Sequence, residues 1–137
     1  MKSWIIESED KIFLDHIPRL EWGKSTENSF IRSTQLTLNA LGDNYSYEYL
    51  MGISGAAFRL HFHPDWCPSS ADATVGFDVS KVLFKSLGYA GNLHVIDDKN
   101  FLEIRNLFKK IIEHIDQGIP AITINLKTCP ELWIITG

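Results

Sequence analysis

Three features of the sequence predict an α+β fold, with several helices packed on a small, mostly antiparallel sheet in one domain spanning residues 1–137. First, Phe101, Ile104, Leu107, Phe108, Ile111, Ile112 and Ile115 fall on one face of a helix. Lys109, Lys110, Glu113, Asp116 and Gln117 take the other face. Second, two further stretches of helical pattern each begin after a polar capping residue and stop at a glycine, Gly42 and Gly88. Third, short apolar bursts face each other across turn-like segments at both ends of the chain, as hairpins do.

The bulk composition agrees with one folded domain. The chain has 137 residues, of which 45% are hydrophobic and 22% charged, enough to form a core and too apolar for a disordered segment. A net charge of −4, with no stripe of Lys and Arg interleaved with aromatics, argues against nucleic acid as a partner. No apolar run approaches the ~20 residues that a membrane-spanning helix needs. The first residues, MKSWIIESEDK, carry acids where a secretory signal would be apolar, so the expected location is cytoplasmic. Cys67 and Cys129 are then expected as reduced thiols.

Along the chain, residues 4–6 (Trp-Ile-Ile) and 12–14 (Ile-Phe-Leu) flank an acidic turn and predict a β-hairpin. The cluster Ser25-Thr26-Glu27-Asn28 offers caps for a helix running to about Ala40, where Phe30, Ile31, Thr34, Leu38 and Leu41 fall near one face. Ser29 reads as a cap or a surface hydroxyl at its start. A second, shorter helix opens near Ser46 and is broken by Gly52 and Gly55. Alternation over 57–63 predicts a strand, with Phe58, Leu60 and Phe62 on one face and Arg59, His61 and His63 on the other. Pro64 and Pro68 start a loop.

A third helix is predicted over Ser80 to Leu87, a short strand over Leu93 to Ile96, and then the long amphipathic helix. Asp97 and Asp98 read as its caps, and all seven of its apolar residues are expected to be buried. Residues 120–126 and 132–136 predict a closing hairpin. Ending on an apolar strand looks abbreviated. An exposed sheet edge of this kind predicts cover by a second copy of the chain, and hence a homo-oligomer.

Three segments resemble the papain-like fold: Asn28–Gly42 (NSFIRSTQLTLNALG), Ser46–Gly55 (SYEYLMGISG) and Asn106–Gly137. Together they cover about half the chain. The resemblance is to the bacteriocin-processing cysteine peptidases and to the N-terminal domain of the butirosin-biosynthesis acyltransferase BtrH. It implies a nucleophilic Cys at the start of the first helix and a catalytic His beginning a later strand. Here those positions fall on Ser29 and near Leu132. A serine with no imidazole in the partner position lacks the means of activation that this chemistry requires. The stretch from Asp43 to Ser70 also resembles a group of bacterial, Firmicute-type proteins, a resemblance that supplies no activity.

Cys67 stands in the most suggestive chemical setting, with His61, His63 and Asp65 within six residues. In one reading His63, or a more distant His94 or His16, deprotonates the Cys67 thiol while Asp65 orients the imidazole. The bend Gly52–Ala57 then offers backbone amides to an oxyanion. In the other reading Trp66-Cys67-Pro68 plugs the core as apolar filler. His61 and His63 share one strand face, a spacing that metal sites use, but Arg59 beside them would repel a cation. No cofactor and no metal is therefore expected.

The leading expectation is a catalytically degenerate papain-like protein. It would bind a small molecule, or an acyl or peptidyl group, between the first helix and the sheet. A thiol hydrolase or acyltransferase using Cys67 is the alternative, and an interaction protein that dimerises through an edge strand is the third.

Overall fold

Two β-hairpins and four helices form the described part of the protein in a computed structural model, which covers residues 5–8, 11–21, 27–59, 76–91, 93–96, 99–124 and 132–137. Strands β1 (Ile5–Ser8) and β2 (Lys11–Leu14) pair antiparallel, with Ile5 opposite Leu14 and Ser8 opposite Lys11. Strands β3 (Ala121–Ile124) and β4 (Leu132–Ile135) form the second hairpin, with Ala121 opposite Ile135 and Ile124 opposite Leu132. The two hairpins meet where the Leu14 N–H donates to the Thr136 carbonyl at 2.7 Å. Leu14 is buried at this junction. The α+β class predicted from sequence is the observed one.

Helix α1 (Ser29–Leu41) starts because the Asn28 side chain accepts from the Ile31 N–H, satisfying one of the donors that a first turn leaves open. It stops at Gly42, whose φ of +99° lets the chain turn left-handed, so that the Gly42 and Asp43 amides close back on the Asn39 and Leu38 carbonyls. Ser46 caps the short helix α2 (Tyr47–Ile53) through Tyr49. Gly52 lies inside this helix rather than ending it. Ser54 terminates it, with a hydroxyl that donates to the Met51 carbonyl and accepts from the Ala56 N–H.

The strand predicted from residue 57 begins differently. Ala56–Phe58 form a single 3-10 turn and Arg59 is extended, while residues 60–63 of the expected strand lie outside the described residues. The left-handed Gly55 and the Ser54 hydroxyl impose this turn locally, and that outweighs the alternating pattern. Arg59 lies over the Phe77 ring, 4.1 Å from its centroid.

Asp78 caps α3 (Val79–Leu87), which ends at the left-handed Gly88. Ile31 and Leu38 of α1, Leu50 of α2, Ala56, and Val79 and Leu83 of α3 form the buried core, with Phe30, Tyr45, Met51, Phe77 and Tyr89 around it. The edge-to-face contact between Phe30 and Phe84, 6.4 Å between centroids, closes α1 on α3.

Residues 93–96 are not a strand. Helix α4 (Phe101–Asp116) is capped by Asn100, whose side chain accepts from the Glu103 N–H and donates to the Glu103 carboxylate. The expected caps Asp97 and Asp98 lie outside the described residues. Burial along α4 falls short of the expectation. Ile115 is buried and Ile104, Leu107 and Ile111 are half-buried, whereas Phe101, Phe108 and Ile112 are 82%, 55% and 55% exposed. The reason is geometric: α4 rests on β2 and β3, and two narrow hairpins cover only part of a wide apolar stripe.

Candidate functional site

The start of α1 is the position to which the sequence attaches a chemical expectation. Ser29 is the first residue of the helix and is half-buried. It is not the cap, because Asn28 occupies that position with its side-chain oxygen 3.1 Å from the Ile31 nitrogen. The backbone N–H of Asn28 donates to the Tyr47 hydroxyl at 2.9 Å, so α2 pins the beginning of α1. Further along, the Arg32 guanidinium donates to the Gln35 amide oxygen, and the Gln35 amide donates to the Tyr45 carbonyl at 3.0 Å.

Helix α1 packs against both strands of the second hairpin. The strand that begins at Leu132 is therefore a direct neighbour of the helix that begins at Ser29. Leu132 is half-buried and brings no proton acceptor. Among the described residues no imidazole is hydrogen-bonded to Ser29. His16 is exposed, takes a left-handed φ of +72°, and sits 3.8 Å from the Asp15 carboxylate. His114 is exposed in the last turn of α4.

His94 is exposed as well, and lines an open cavity of about 320 Å³ with Ile96, Asn100, Glu103, Asn106 and Lys110. Two of its lining side chains, Asn100 and Glu103, are hydrogen-bonded to each other as part of the α4 cap.

His61, His63, Asp65 and Cys67 lie outside the described residues, as does Cys129. Of the predicted site residues, the structure thus describes Ser29, the position of Leu132, the alternative bases His16 and His94, and the Gly52–Ala57 bend. Among the described residues no group of three or more His, Cys, Asp or Glu side chains could hold a metal ion.

Two features of the α1 region were not read from sequence. Ser33 is fully buried and its hydroxyl has no hydrogen-bond partner, and the Thr37 hydroxyl one turn later is also buried and unpaired. With Ser29 they follow a spacing of four residues along one flank of the helix, a regularity visible in the sequence but overshadowed by the apolar face beside it. The other is Tyr89, whose hydroxyl donates to the Asp43 carboxylate. This hydrogen bond, and then partial burial, push its pKa up to about 12.

No family model, curated protein or solved structure matches this chain.

Proposed function

We propose that this chain is a binding protein of papain-like outline, which takes a small molecule or an acyl or peptidyl group where the first helix meets the closing hairpin. The observation that carries the proposal is the adjacency of α1, with Ser29 at its first position, and β4, with Leu132 at its first position. A papain-like enzyme would need a thiol and an imidazole at those two places. With a hydroxyl and a leucine there, a groove between the two elements would bind without an activated nucleophile. Binding at that groove is what remains available to it.

The test is a ligand-induced thermal shift with N-acyl amino acids and short glycine-ended peptides, in the native chain and in Ser29→Trp, which fills the mouth of the groove. The expected outcome is stabilisation by at least one of these probes, lost in Ser29→Trp and kept in Cys67→Ala. The competing thiol-enzyme reading is tested by iodoacetamide labelling of Cys67 across pH in a Cys129→Ser background. A labelling midpoint well below the ordinary thiol value of ~8.5, with turnover lost in Cys67→Ala, would replace the binding reading with catalysis.

A further inference from the structure

Helix α4 carries an exposed ridge to which no role is yet assigned. Phe101, Arg105, Phe108 and Ile112 are separated by four, three and four residues and so form one continuous seam along the helix. Phe101 is 82% exposed, Phe108 and Ile112 are each 55% exposed, and Arg105 is exposed as well. Leu102 at the start of the same helix is 71% exposed. An apolar surface of this extent on a chain of ordinary composition marks a contact surface.

We infer that this ridge is the interface of a two-fold symmetric dimer, in which the α4 helices of two copies pair antiparallel. The seam itself selects a second copy as the occupant. Its 4-3-4 spacing reads the same in both directions, so an antiparallel copy centred between residues 106 and 107 brings every seam position into register. Phe101 of each copy then meets Ile112 of the other, and Arg105 of each meets Phe108 of the other.

The charge pattern favours this register. Arg105 is the one charged residue of the seam, and in a parallel pair it would face its own counterpart. In the antiparallel pair it lies on an aromatic face, an arrangement in which the cation is attracted to the ring and its aliphatic stem covers apolar surface. A two-fold axis requires this kind of self-complementarity. The seam is also separate from the half-buried Ile104, Leu107 and Ile111, so pairing leaves the packing of α4 on β2 and β3 in place.

Sedimentation equilibrium of the full chain over a concentration series is the first measurement. A monomer–dimer equilibrium is expected. Phe108→Glu should weaken it by about thirtyfold or more, as replacement of a central aromatic anchor does, with an unchanged circular dichroism spectrum. The register is read with cysteines in a Cys67→Ser/Cys129→Ser background. Phe101→Cys combined with Ile112→Cys should give an intermolecular disulfide on oxidation. Phe101→Cys alone should not, because the two copies of residue 101 would lie about 16 Å apart along the helix axis at 1.5 Å per residue. A concentration-independent monomer overturns the inference. So does a dimer that is indifferent to Phe108→Glu, or crosslinking by Phe101→Cys alone; the last two would place the contact on another surface or in a parallel register.

Discussion

The Tyr89 hydroxyl donates a hydrogen bond to the Asp43 carboxylate, and this one contact joins the end of α1 to the end of α3. Each residue directly follows a left-handed glycine that terminates its helix, Gly42 before Asp43 and Gly88 before Tyr89. The two helix stops are therefore brought side by side, and the clasp closes the core over Leu38 and Leu83.

That clasp sets a pH dependence. The phenol pKa rises from the ordinary value of 10.0 to about 12 in the folded protein, because the proton is held by the Asp43 carboxylate. A pKa raised on folding means that the protonated form is stabilised in the native state. The contribution is thus complete below pH ~10 and is lost as pH rises towards 12. Denaturant titrations should show stability falling across that window. In Tyr89→Phe this alkaline loss should be absent, and stability at neutral pH should be lower by about 1 kcal/mol.

The cap of α1 gives a second expectation. Asn28→Ala removes the acceptor of the Ile31 amide and should cost about 1 kcal/mol in chemical denaturation. Ser29→Ala should stay within about 0.5 kcal/mol, because that hydroxyl caps nothing. An inverted order of the two losses would contradict the assignment of Asn28 as the cap.

Asp78 offers the acid counterpart. Its carboxylate accepts from the Ser80 hydroxyl and from the Lys81 amide, and these hydrogen bonds, Ser80's foremost, hold its pKa below the usual 3.8. A depressed pKa favours the ionised form in the native state, so the stabilisation is present above pH ~4 and fades as pH falls below it. Asp78→Ala should flatten that acid limb and fray α3, seen as lower amide-exchange protection in its first turn.

Gly42 should not tolerate a side chain. At a φ of +99° an alanine is strained even though open space surrounds the position, so Gly42→Ala should cost about 1 kcal/mol by thermal or chemical unfolding.

The division between core and surface is testable by one comparison at low protein concentration. Leu83→Ala, at a fully buried position, should lose about 2–5 kcal/mol of stability. Phe108→Ala should change monomer stability by no more than about 0.5 kcal/mol, because its ring lies outside the core. Similar losses in the two variants would mean that α4 is buried more deeply than the structure has it.

The sequence by itself determined the helices, the stops of α1 and α3 and the two hairpins, because capping side chains, left-handed glycines and short apolar bursts act over a few residues. Gly42 and Gly88 end α1 and α3 where the pattern puts them, and of the residues expected on the core face of α1, Ile31, Thr34 and Leu38 are buried while Phe30 and Leu41 are half-buried. Local chemistry could still mislead where two signals compete. Residues 57 and 58, expected to open a strand, belong instead to the turn set by Ser54 and Gly55, and Asn100 rather than the acidic pair at 97–98 caps α4. Only the tertiary structure decided which apolar residues are buried. The α4 pattern promises seven core positions and the fold covers four of them in whole or in part, since periodicity defines a face and the width of the neighbouring surface decides how much of it is shielded. The same holds for the candidate site. The helix that begins at Ser29 and the strand that begins at Leu132 become neighbouring elements only when α1 packs against β4, and the Tyr47 hydroxyl reaches the Asn28 amide only across two packed helices.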